Sequence, residues 1–269
     1  MDRTLTAVLA VLVMAMVIFL AVFSLTVYMG IRYRDTLAGT YDYRVSIAND
    51  AALGNVTLYL PIPGRLKGNS AVLEEIGGGG LAGLPAGWKT ALIGTEKVTL
   101  LEVTAPEVPA TPAGRPYQLS ITTRVRDPVG TGSDNFNDLV LAPLAGKTPA
   151  ACTGIPAGQV SGNVRCAAYR GSAYADYTGP RDARLQISLS VTGKNAWDVI
   201  VPSGNEYRDG FQVSFSGDER GWKEGDGLLA TGIGDYGMGF WIDWLGTYSP
   251  KEVPVRQVRV TPAAGGRPA

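Results

Sequence analysis

Three patterns of apolar and polar positions divide the chain. The first is an unbroken apolar run. The 28 positions between Arg3 and Arg32, Thr4 through Ile31, carry no charge and are almost all apolar. An α-helix of ~20 such residues crosses a bilayer core of about 30 Å, and a helix satisfies its own backbone groups in lipid. The run predicts a short tail at 1–4 and a transmembrane helix over 5–31 that holds the bilayer as its partner. A cleaved signal peptide has an apolar core of only ~7–15 residues and ends at a small-x-small site. This run is longer and closes on Val27-Tyr28-Met29-Gly30-Ile31-Arg32. Residues 32–40 read as a juxtamembrane segment in which the helix continues for a turn or two before Gly39.

The second pattern is strict alternation. Tyr43, Val45 and Ile47 alternate with polar neighbours, as do Val56, Leu58, Leu60 and Ile62. Further runs are Val98–Val103, Leu119–Val125 and Phe211–Phe215, with a final one at Val253–Val260. The cleanest sets Leu185, Ile187, Leu189 and Val191 against Gln186, Ser188, Ser190 and Thr192. Gly193-Lys194-Asn195 then reads as a hairpin turn into Trp197, Val199 and Val201. Period two with one polar face means antiparallel sheets half exposed to water. The expected fold is a mostly β, antiparallel, sandwich-like domain over 41–262, following one N-terminal transmembrane helix. Helical signal in that domain is confined to Ser70–Ile76, with Ser70 as cap and Gly77 as stop.

The third pattern is the absence of period. Residues 131–179 are rich in Gly, Pro and Ala, a weak internal division. Gly225–Gly239 is too rich in glycine for a regular helix, and 263–269 reads as a frayed tail.

Composition then narrows the chemistry. The chain has no histidine, which removes histidine-dependent triads, histidine bases and most zinc or copper sites. Lys and Arg total 24, as do Asp and Glu, so there is no basic excess and no nucleic-acid partner is expected. Cys152 and Cys166 enclose 13 residues of turn-forming sequence. A disulfide there would contribute on the order of 3 kcal/mol through loop closure and implies an oxidising compartment. With the candidate sequon Asn55-Val56-Thr57, this favours a cytoplasmic N-terminus and a domain outside the cell membrane. The flanking charges are nearly balanced and do not decide orientation.

Candidate sites are sparse. Gly77–Gly80 lacks the Lys-Ser/Thr of a phosphate loop. Asp134, Asn135, Asn137 and Asp138 offer oxygen ligands suited to calcium, the one cofactor candidate, although EF-hand spacing fails. Trp222, Trp241 and Trp244, with Asp243 among them, form an aromatic concentration able to hold a ligand. Carboxylates from Asp209 to Asp243 supply the residue type of glycoside cleavage, without evidence of pairing. No catalytic residues are identified. The reading is a single-pass cell-surface or envelope protein with a non-catalytic binding or structural role, engaging a partner protein or its own copies. The alternatives are a surface protein that binds or cleaves carbohydrate, and an accessory subunit of a larger membrane complex.

Overall fold

A computed structural model describes residues 3–64, 70–94, 98–112, 114–125, 128–132, 139–142, 145–153, 155, 164–234 and 261–262. The apolar run forms one helix, α1 (Arg3–Thr36), long and apolar enough to cross a membrane, and none of its apolar window is buried against the rest of the chain. Leu37 alone separates α1 from the first strand, β1 (Ala38–Asn49), so Gly39 lies inside that strand.

The alternating segments form strands as their period demands. In chain order they are β1, β2 (Leu53–Gly64), β3 (Lys89–Gly94), β4 (Thr99–Val108), β5 (Tyr117–Val125), β6 (Val140–Ala142), β7 (Ala145–Pro149), β8 (Arg165–Thr178), β9 (Arg184–Asp198), β10 (Pro202–Ser216), β11 (Gly221–Gly234) and β12 (Thr261–Pro262). The fold is mostly antiparallel β, as alternation implies, in one curled half-barrel sheet ordered β12-β3-β4-β2-β8-β11-β10-β9-β1-β5. β6 pairs with β2 and β7 with β8, off that path, and among the described strands the β12–β3 pairing alone is parallel. β8, from the stretch between 131 and 179 that shows no period, pairs with β2 on one side and β11 on the other.

The helix α2 (Ala71–Gly77) packs between the flanks of the curl. Ser70 caps it by accepting from the Leu73 N–H at 3.2 Å, and Gly78 closes it. Its Val72 and Ile76 are buried in the common core. Past α2, Ala82 exchanges two backbone hydrogen bonds with Ser120 of β5, at 2.8 and 3.0 Å, so the chain approaching β3 touches the opposite edge strand. Inside the curl, the Tyr43 hydroxyl of β1 donates to the Pro61 carbonyl of β2 at 2.9 Å.

The turn expected at Gly193-Lys194-Asn195 is not there. β9 runs straight through it, paired with β10 along its whole length and with β1 from Leu185 to Ala196. The cause is packing. A Cβ on Gly193 would stand 2.1 Å from the Tyr207 ring, so glycine admits that ring to the core. Asn195 faces inward, accepting from the Val129 N–H at 2.7 Å and donating to the Val129 carbonyl at 2.7 Å. Glycine serves β11 in the same way: a Cβ on Gly227 would lie 2.1 Å from the Tyr169 ring. The final run at Val253–Val260 lies outside the described residues.

Candidate functional site

Outside α1 the described residues expose few large apolar side chains, so a cluster of aromatic ones on the outer face is informative. On β2, Leu58 and Leu60 point inward and leave Tyr59 outward; on β8, buried Ala173 and Ala175 do the same for Tyr174. Trp222 is outward on β11 and 45% exposed. Strand register places the three side by side, Tyr59 opposite Tyr174 and Tyr174 opposite Trp222. Their ring centroids are 5.1 Å apart for Tyr59–Tyr174, 5.6 Å for Tyr174–Trp222 and 6.3 Å for Tyr59–Trp222. Cross-strand aromatic pairs of this kind also stabilise a sheet. Glu102 of β4 extends the row beyond Tyr59. Partial burial, then the charge and hydrogen bond of Glu102, raise the Tyr59 pKa, so the phenol stays a neutral donor.

Of the aromatic residues singled out in the sequence, Trp222 belongs to this row. Trp241, Asp243 and Trp244 lie outside the described residues. So do Asp134, Asn135, Asn137 and Asp138, the calcium candidates. Tyr59 and Tyr174 complete the site and were not singled out. The available signal for Tyr59 was its place on the polar side of an alternating run.

The described carboxylates are dispersed. Asp209 is inside the core, Glu224 and Asp226 are on the outer face, and Asp218 and Glu219 occupy the turn between β10 and β11. Asp226 pairs with Arg170 at 2.9 Å, and Glu219 with Lys223 at 2.5 Å. Among the described residues no group of three His, Cys, Asp or Glu side chains is placed to hold a metal. Gly210 leaves a shallow trough of about 580 Å³ on the outer face, lined by Ser188, Ser190, Thr192, Arg208, Gln212 and Asp226.

Asp209 is the most perturbed acid. It is 1% exposed, accepts from the Tyr169 hydroxyl at 2.6 Å and from the Leu141 N–H at 2.7 Å. Burial pushes its pKa up to about 7, against the opposing pull of those two hydrogen bonds and of Lys147. Its neighbours mark it as a structural clamp. It fixes residues 139–142 against the inner face, where the Tyr207 hydroxyl also donates to the Leu139 carbonyl.

Cys152 and Cys166 form a disulfide with Cα atoms 5.3 Å apart. It joins the start of β8 to the chain just past β7, beside a backbone hydrogen bond from the Ala150 N–H to the Cys166 carbonyl at 3.0 Å. Asn55, the sequon residue, is exposed, with φ 49° where the β2–β8 register shifts. Asparagine is one of the few residues that tolerates this conformation.

Set beside known proteins, the chain matches no family model, no curated protein and no solved structure.

Proposed function

We propose that this chain is a single-pass membrane-anchored protein whose β domain, outside the cell membrane, binds a protein partner without catalysis. The observation that carries the binding role is the outward row Tyr59–Tyr174–Trp222. Aromatic side chains anchor many protein interfaces because they bury a large area at small entropic cost. The row lies toward the end of the sheet away from α1. β1 starts beside α1, and the antiparallel order puts the turn between β10 and β11, next to Trp222, at the opposite end. A partner approaching there meets no bilayer.

Three features support the placement. The apolar window of α1 is not buried against any described residue, and a surface of that size left in water favours association or insertion. The Cys152–Cys166 disulfide fits an oxidising compartment. The exposed Asn55 is accessible to a glycosylating enzyme on the same side. The full-length protein is expected to stay with membranes through a carbonate wash, and release into the wash would end the anchor reading. Unreduced, denatured protein is expected to show no reactive thiol.

The binding surface is tested by co-purification of the full-length chain in mild detergent. Trp222→Ala is expected to weaken capture of the partner by at least about tenfold. Its thermal unfolding should shift little, since the side chain is half exposed. Undiminished capture would remove the aromatic row from the interface. A carbohydrate ligand is the second reading, favoured by the Tyr59 and Trp222 rings lying within 27° of parallel beside Glu102. Glycan binding lost in both Trp222→Ala and Glu102→Gln would select it.

A further inference from the structure

Outside α1, the described residues expose only three large apolar side chains: Trp222 in the aromatic row, and Ile200 and Val201 together. The latter two sit in Val199-Ile200-Val201, the turn between β9 and β10, and are 75% and 63% exposed. A hairpin turn in water is ordinarily built from Gly, Asn, Asp, Ser and Pro. Three consecutive β-branched apolar residues, two of them well exposed, form this tip and call for a covering partner.

The position of the tip identifies the partner. Ala38 opens β1 opposite Ala196, so β9 runs two residues past the start of β1 and lies beside the last turn of α1. There the Thr36 hydroxyl donates to the Asp198 carbonyl at 3.1 Å, and the Asp198 N–H donates back to it at 3.0 Å. The Tyr33 and Trp197 rings lie 5.4 Å apart. From Ile31, the last apolar residue of the run, to Thr36 is about 8 Å along a helix. The headgroup layer on each side of a bilayer core is about 5–8 Å thick. The tip therefore stands at headgroup depth wherever α1 spans the membrane. Trp and Tyr side chains concentrate at that depth, and Arg32 and Arg34 flank it.

We propose that the Val199–Val201 turn is a second membrane contact, with Ile200 and Val201 entering the boundary between headgroups and acyl chains. This rests on α1 being a membrane anchor. Two contacts at separate points hold the domain at one tilt, where a lone helix would let it swing.

The test uses the full-length chain in phosphatidylcholine vesicles, carrying one introduced cysteine with a polarity-sensitive nitrobenzoxadiazole label. The native cysteines are bridged and do not react. Label at Ile200→Cys is expected to emit at shorter wavelength and to be quenched by lipids spin-labelled near the headgroup. Label at Asp218→Cys, in the turn at the opposite end of the sheet, should show neither effect. Label at Val17→Cys, in the middle of α1, should be quenched by deeply spin-labelled lipids. If position 200 behaves like position 218 while position 17 is quenched, the tip is in water and the proposal fails with the anchor intact. If position 17 is also unquenched, the anchor reading fails and the membrane contact with it.

Discussion

Asp209→Asn is expected to stabilise the protein by an amount that grows from pH 4 to pH 7, and to leave it nearly unchanged near pH 3. Unfolded, this carboxyl titrates near 3.8; folded, it titrates at about 7. Below the first value it is protonated in both states, and the fold keeps its full stability. Between the two values folding takes up a proton, so stability falls as pH rises. Above about 7 the folded state holds a buried carboxylate and the loss is complete, at roughly 4 kcal/mol for that gap. An amide keeps the geometry without the charge. Its oxygen accepts from the Leu141 N–H, and its nitrogen donates to the Tyr169 oxygen. The Tyr169 hydrogen then turns to the Gly210 carbonyl, already 3.3 Å away. Asp209→Ala instead leaves the Leu141 N–H without its acceptor and opens a void, at a cost of ~2–4 kcal/mol near pH 3. Denaturant unfolding of both variants and the parent at pH 3 and pH 8 reads these differences. A parent and an Asn variant that change in parallel with pH would mean that Asp209 is not the buried titrating group.

The second large effect is expected at Ile187. It is fully buried on β9, with Ile47 of β1 and Val213 of β10 directly opposite it on either side. Neighbours held by two ladders cannot collapse into the space a smaller side chain leaves. Ile187→Ala should cost about 2–5 kcal/mol. Ser188, the next residue, faces the outer side of the same strand, and Ser188→Ala should stay within about 0.5 kcal/mol. Comparable costs for the two would contradict the inward and outward assignment of β9.

The sequence revealed those parts of the fold in which each residue reports its own environment. The apolar run gave α1, the alternation of β1, β2, β5 and β9 gave the antiparallel sheet, and the Ser70 cap gave α2. It misled where a residue served a neighbour distant in sequence. Gly193 and Asn195 look like turn residues, yet one makes room for the Tyr207 ring and the other pairs both backbone groups of Val129. Gly225 and Gly227 hid β11 for the same reason, since their inward faces are filled by the rings of Phe211 and Tyr169. The clamp at Asp209 was invisible because its partners come from positions 141 and 169. For the candidate site, Trp222 was legible by its type alone. Tyr59 and Tyr174 become its neighbours only through the pairing of β2, β8 and β11, which no local pattern encodes.

The one-residue join between α1 and β1 also determines how the protein bears tension. A partner held at the far end of the sheet and an anchor held by lipid would pull along the strand direction. The load enters through β1, which is bonded on both sides, to β5 and to β9, over nearly its full length. Pulled lengthwise, a strand so placed must slide past two neighbours at once, and the ladder bonds share the force in shear. Pulled sideways from an edge, the same bonds would open one at a time, as a zipper does. With its tether on an interior strand, the domain can transmit a stretching force between the bilayer and what it holds without peeling apart.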